Sequence, residues 1–229
     1  MEISGIIREE LPALTEGQVA AFAAYYHMLL DWNSRMNLTA ITEPREAVQK
    51  HFADSLLPAG LLPRNARVID VGTGAGFPGI PLKILRPDIR LTLLDSLKKR
   101  IGFLEALCGE LGLSDVEAVH ARAEDAGRDI RYRAGFSVAL SRAVAPFPAL
   151  LELTLPFVQT GGFSMMYKGP QAEAELAAGA RALSLLRAEA RVAVYPAPWG
   201  ERRVILAYKK GETPKAYPRR AGVPAKQPL

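Results

Sequence analysis

Three glycines at alternate positions, Gly72, Gly74 and Gly76, follow the short apolar run Val68-Ile69-Asp70-Val71, and Phe77-Pro78-Gly79 comes next. The β-branched residues of that run read as a buried strand. The glycines then demand a tight turn, because residues without a side chain lose the most conformational freedom on folding and are spared only where something approaches closely. Pro78 suits the first turn of a helix, where no amide partner is lost. Strand, glycine turn and helix together form a cradle in which backbone amides face a ligand.

The spacing narrows the ligand. A dinucleotide fingerprint is G-x-G-x-x-G, whose third glycine lets helix and strand pack closely. Here Phe77 occupies that third place. Instead, G-x-G-x-G behind the acidic Asp70 resembles motif I of the class I methyltransferases, which bind S-adenosylmethionine (SAM).

Composition sets the outer limits. The 229 residues are 49% hydrophobic, enough for a sizeable core. No apolar run approaches the roughly 18 residues of a membrane span, and Met1-Glu2-Ile3-Ser4 does not open like a signal peptide. One cysteine, Cys108, excludes an internal disulfide and a cysteine metal cluster, and it falls in an apolar helical pattern that reads as inert. These features predict a cytoplasmic protein. The formal net charge of +5 is concentrated at the C-terminus. Residues 209–229 hold six basic side chains (Lys209, Lys210, Lys215, Arg219, Arg220 and Lys226) against Glu212 alone, with Pro214, Pro218, Pro224 and Pro228 among them. Such a stretch is expected not to pack as a helix, and it suits a polyanion or serves as a solubilising terminus.

Along the chain, Thr15 and Gln18 have capping-box spacing, and Val19, Phe22, Tyr26 and Leu29 repeat helically, which predicts a helix over 15–32. The polar stretch from Trp32 to Ile41 then reads as a loop. A second helix is expected from Pro44 to about Leu57, with His51, Asp54 and Ser55 on one face and the histidine capped by the carboxylate. After Pro58, Gly60 and Pro63, strands at 68–71, 91–95, 116–120, 136–141 and 162–168 alternate with helices at 78–85, 96–111, 147–158 and 173–189. Residues 191–195 and 202–208 read as an edge hairpin with the last strand antiparallel. The fold class is therefore α/β: a mostly parallel seven-stranded sheet with helices on both faces and an N-terminal helical extension. The expected division is 1–63 for the extension, 64–208 for the ligand-binding domain and 209–229 for the basic tail.

Ligands of such sheets lie beyond the carboxyl ends of the strands. Asp95 ends the second strand, where an acidic side chain can accept from ribose hydroxyls or cap the next helix. Arg122, Arg142, Lys168 and Arg202 reach the same edge, and Lys98, Lys99 and Arg100 open the helix after the second strand. Cations at a helix start oppose its dipole by about 0.3–1 kcal/mol, so their placement serves another purpose. Several cations on one rim point to an anion, and a phosphate backbone needs more of them than SAM does. His27, His51 and His120 share no ligand spacing, and no H-E-x-x-H or G-x-S-x-G occurs. The reading is a metal-free site.

Further motifs sharpen the resemblance. Trp32-Asn33…Asn37-Leu38-Thr39 and Lys50-His51-Phe52…Asp54-Ser55-Leu56 are similar to N-terminal signatures of the RsmG (GidB) family. The central signatures are matched by Asp70 to Pro81, Leu94-Asp95-Ser96 with Lys99-Arg100, Arg122-Ala123-Glu124, Ser141-Arg142-Ala143, Lys168-Gly169 and Gly200-Glu201-Arg202. The tail motif Tyr217-Pro218-Arg219-Arg220…Gly222…Pro224-Ala225-Lys226 matches too, while Tyr167 and Gln227 depart from the pattern. The resemblance implies a SAM-dependent enzyme that forms 7-methylguanosine in the 530 loop of 16S ribosomal RNA. It implies cofactor contacts at Gly72, Thr73, Gly74, Phe77, Asp95, Ser96, Leu97, Ala123, Glu124 and Arg142. Lys99, Arg122, Arg142 and Arg202 would form the catalytic rim, and Lys168, Arg219, Arg220 and Lys226 would contact RNA. The small ribosomal subunit would be the partner of a monomeric protein. A class I methyltransferase of small molecules and a non-catalytic ribosome-associated binder are the competing readings.

Overall fold

A computed structural model describes residues 2–229. Seven strands form one sheet: β1 (Arg67–Val71), β2 (Arg90–Asp95), β3 (Val116–His120), β4 (Phe136–Arg142), β5 (Val158–Lys168), β6 (Ala188–Tyr195) and β7 (Arg202–Lys209). Their order is β3-β2-β1-β4-β5-β7-β6. β1 to β5 run parallel, whereas β7 is antiparallel to both β5 and β6. Helical crossovers bury a parallel sheet on both faces, and central β1 accordingly hides every residue after Arg67. The strand order reverses between β1 and β4, and the glycine turn lies at that switch point.

The N-terminal helices share one apolar cluster with the sheet. Phe22, Tyr25, Leu29 and Phe52 join Val68, Ile80, Leu93 and Leu206 in it. Thr15 and Gln18 form the reciprocal capping box of the helix Glu16–Met36. That helix runs four residues beyond Trp32, so the expected loop is shorter. Asn37, at φ 51, ends it in the left-handed conformation that asparagine tolerates. The next helix is interrupted. Pro44–Ala47 leads into a π-helical turn, Val48–Ala53, before Asp54–Leu56 resumes.

Three further expectations change. The alanine-rich helix is two, Ala172–Ala178 and Ala180–Leu185, divided at Gly179. A Cβ there would stand 2.4 Å from ring carbons of the fully buried Phe147, so the backbone passes where only glycine fits. The helix expected over 96–111 starts later, as Lys98–Glu110, and leaves Leu97 before it and 42% exposed. The C-terminal residues pack on the body and include a short helix, Val223–Lys226. Arg219 forms an ion pair of 2.6 Å with the fully buried Glu152. Arg133 donates to the carbonyls of Thr213 and Tyr217 at 2.8 Å each. The tail is a strap, not a free arm.

Candidate cofactor and substrate site

The turn after β1 is held from below by Asp70. Its Oδ2 accepts from Thr73 Oγ1 at 2.8 Å and from the Gly79 amide at 2.9 Å. Oδ1 is buried without a partner, and burial raises the carboxyl to about 6. Gly72, Gly74 and Gly76 all take left-handed backbone angles, φ 71, 62 and 97. Nothing lies within 4 Å of a Cβ built on Gly74, so the turn presents bare backbone to open space.

The N-terminal helices build the back of this turn. Tyr25 donates its hydroxyl to the Ala75 carbonyl at 2.5 Å. Tyr25 and His51 each stack on the Phe77 ring, at 5.2 and 4.5 Å between centroids. The Arg142 guanidinium lies 5.0 Å from the centre of the Phe77 ring. Phe77, in the place of a third dinucleotide glycine, is thus a packing residue inside the fold.

Two clefts flank the end of β4. The first, about 130 Å³, lies over the ends of β1, β2 and β3 and is lined by Gly72, Asp95, Ser96, Arg122, Ala123 and Glu124. Val71, Leu94, Val144 and Leu153 give it apolar walls. Asp95 orders its floor: Oδ2 accepts from the Gly74 amide at 3.0 Å and Oδ1 from the Leu97 amide at 2.9 Å. Arg100 adds a contact of 3.3 Å. Of the two readings of Asp95 the cap is not realised: the helix Lys98–Glu110 has Leu97 at its N-cap and no side-chain cap, and Asp95 instead borders the cleft. Glu124 borders it too, while accepting from the Gly222 amide of the strap at 2.8 Å. Arg122, Lys98 and Lys99 are exposed on this side.

The second cleft, about 430 Å³, lies over β4, β5 and β7 and brings together Arg142, Lys168 and Arg202 with Asp54, Tyr167 and Glu201. Asp54 sits just past the π-helical turn. Arg202 Nε donates to both its oxygens at 3.0 Å, and Trp199 Nε1 donates to Oδ1 at 2.6 Å. His51 is therefore not capped by Asp54. Its Nε2 pairs with Thr39 Oγ1 at 2.8 Å and its Nδ1 with Arg142 Nη2 at 3.3 Å. Arg142 also donates to the Lys50 carbonyl at 3.0 Å. Burial, with Arg142 beside it, lowers His51 to about 4 and keeps it neutral. Lys168 reaches the Ala145 carbonyl at 3.1 Å and Glu175 at 2.7 Å. The rim is thus split between the clefts, and Lys168 and Arg219 spend their charge on internal carboxylates, whereas Arg220 and Lys226 are exposed.

Sequence reasoning missed Trp199, Thr39 and Tyr25 as site-building residues. Their partners lie 145, 12 and 50 residues away, beyond the reach of any helical or strand spacing. Cys108 has its thiol pushed up to about 11 by burial, as expected of an inert residue. Among the described residues no helix is long and apolar enough to cross a membrane.

The glycine cradle, the acidic strand end and the apolar-walled cleft fit an adenosyl group. Solved structures share the fold. An O-methyltransferase from Bacillus cereus solved in complex with SAH aligns with TM-score 0.55 at 19% identity, covering 81% of this chain and 90% of that one. A methyltransferase from Pyrococcus furiosus aligns with TM-score 0.57 at 15% identity, covering 82% and 98%. Sequence relatives are nearer. The ribosomal RNA small subunit methyltransferase G of Desulfitobacterium hafniense is 47% identical over 219 residues, 94% of this chain and 91% of its own. That of Alkaliphilus oremlandii is 44% identical over the whole of both chains. Residues 18–200 match the family described as GidB, rRNA small subunit methyltransferase G. With this match and these relatives, the chain belongs to the GidB family.

Proposed function

We propose that this protein is a SAM-dependent methyltransferase that forms 7-methylguanosine in the 530 loop of 16S ribosomal RNA. The observation that carries the reading is the pair of clefts meeting at the end of β4, one lined by bare glycine backbone and the other by paired cations. In this reading Gly72, Thr73, Gly74, Asp95, Ser96, Leu97, Ala123 and Glu124 hold the adenosyl part, and Phe77 and Arg142 support the turn from behind. When bound, SAM supplies a methyl group on a sulfonium centre, and the seven-position nitrogen of guanine takes it with a lone pair and loses no proton.

The chain's own groups are arranged for that demand. A nitrogen without a proton needs no general base, and the buried His51 is held neutral with both ring nitrogens engaged. Catalysis then rests on alignment. The ring gains positive charge as it is methylated, so Arg202 acts by positioning the base or its phosphates. Asp54 fixes Arg202 and, through Trp199, the loop 196–201 over the second cleft. The exposed Lys99 and Arg122 beside the first cleft and Arg220 and Lys226 on the strap are placed to meet RNA phosphates. A stacked target base must leave its loop to enter the second cleft. The division of labour follows: residues 1–63 wall the turn and lend Lys50, Asp54 and Leu57 to the second cleft, 64–208 carry the first cleft and the rest of the second, and 209–229 brace the first cleft through Gly222 and Glu124. We read the protein as a monomer acting on the small subunit in the cytoplasm.

The test is mass mapping of modified nucleotides after incubation of unmodified small subunits with labelled SAM. One new 7-methylguanosine in the 530 loop is expected. Arg202→Ala should lower that transfer at least tenfold while SAM affinity stays within about twofold. Label at another base, or a collapse of SAM binding in the variant, would overturn the assignment of the two clefts.

A further inference from the structure

A second concentration of positive charge lies at the opposite edge of the sheet. Antiparallel β7 starts at the site edge with Arg202 and ends at the amino edge with Lys209. There, Lys209 joins Arg128, Arg133 and Lys215 around a cavity of about 680 Å³, with Glu212 the one acidic lining residue and Gln159 and Thr160 on its wall. β4 alone puts roughly 20 Å between this edge and the site.

These cations are poorly neutralised. Lys209 is buried and donates to the Leu155 and Val158 carbonyls at 3.1 and 2.5 Å. Arg133 is half-buried and donates to carbonyls of Gly127, Thr213, Pro214 and Tyr217. Neither forms an ion pair among the described residues. Arg128 gives its Nε to the Pro218 carbonyl at 2.8 Å and is otherwise exposed, as is Lys215. Carbonyl dipoles offset a buried cation only in part, and buried charges are ordinarily matched by opposite ones. Burial and, after it, the neighbouring Arg133 lower Lys209 to about 8. Arg133 is itself lowered by burial and by Arg128. An anion in the cavity would relieve this mutual repulsion.

We propose that the amino-edge groove formed by Arg128, Arg133, Lys209 and Lys215 binds phosphates of the RNA backbone, as a second contact remote from the methyl-transfer site. The inference rests on the RNA-substrate reading above. In this groove the exposed Arg128 and Lys215 stand over the buried Lys209 and half-buried Arg133. The internal partners of Arg133 and Lys209 give them a structural part, so the exposed pair is the place to test recognition.

The experiment measures binding of a 16S rRNA fragment containing the 530 loop across a salt series, for the wild type, Lys215→Gln and Lys215→Gln with Arg128→Gln. Each replaced phosphate contact should reduce the salt slope by about 1 and weaken binding at fixed salt. SAM affinity and the transfer rate at saturating RNA should be unchanged. Inorganic phosphate should compete with the fragment in the wild type more than in the double variant. An unchanged slope in the double variant, with SAM affinity intact, would overturn the groove and leave the methyltransferase reading standing. Absence of transfer to small subunits by the wild type would instead overturn that reading. Arg128→Gln alone should lower the slope and Arg128→Lys, which keeps the charge but not the guanidinium, should retain it; if the two behave alike, the strap contact to Pro218 and not phosphate binding explains the loss.

Discussion

At the scale of single residues, the chemistry of the site lies in which groups keep and which spend their charge. Asp95 ends β2 and Asp54 opens the helical turn Asp54–Leu56, and each holds backbone or side-chain donors that shape a cleft. The positions of Asp95 and of the glycines were legible from local spacing, because a turn after a strand is a local matter. The partner of His51 was not. The sequence puts Asp54 and Ser55 within a helical turn of it, yet the π-helical turn and the approach of Arg142 from β4 hand it to Thr39 and Arg142. The consequence is a pH signature. Folded His51 sits near 4 against an ordinary 6.5, so the unfolded chain protonates first. Its contribution to stability is complete above about pH 6.5 and is lost as pH falls toward 4. Asp70, raised to about 6 from 3.8, acts oppositely and loses its contribution as pH rises through that interval. A difference measurement separates them. The stability of the wild type minus that of His51→Gln should fall from pH 6.5 to 4, at up to about 1.4 kcal/mol per pH unit. Parallel denaturation profiles would show that His51 is not held neutral by its surroundings.

At the scale of elements, strands and hairpin were readable because their apolar runs and turns are local, and β3 and β7 begin where the pattern begins. The alanine-rich segment misled. Helix propensity favours one long helix there, and the Gly179 contact with Phe147 that divides it is tertiary. The tail misled in the same way, since prolines and positive charge describe a solvated arm as well as a strap. What decides it is Glu152, wholly buried in the helix Phe147–Thr154, whose oxygens accept from the Arg219 guanidinium and backbone amide. Removing one member of such a pair leaves an uncompensated buried charge, which costs about 3–5 kcal/mol. Arg219→Ala should therefore lower the unfolding free energy by that amount in urea titration. Arg219→Ala together with Glu152→Leu should recover most of the loss. A change below 1 kcal/mol in the single variant, roughly the worth of a surface pair, would make the strap an incidental contact.

At the scale of the whole molecule, one apolar cluster joins the N-terminal helices to the sheet, and the strap closes the other flank. The glycine turn sits between them, propped by Tyr25 and Phe77 on one side and bordered by Glu124, with Gly222 behind it, on the other. Family membership, fold and the open backbone at Gly74 converge on one physical claim: the methyl donor lies against that turn. Calorimetric titration of SAM into the wild type and Gly74→Arg tests it most directly, because nothing lies within 4 Å of a Cβ built there, so the larger side chain meets open space beside the turn rather than the core. Saturable binding by the wild type, and none by a variant that still melts cooperatively, is the predicted result. Equal SAM affinity in both proteins would place the donor elsewhere and contradict the account.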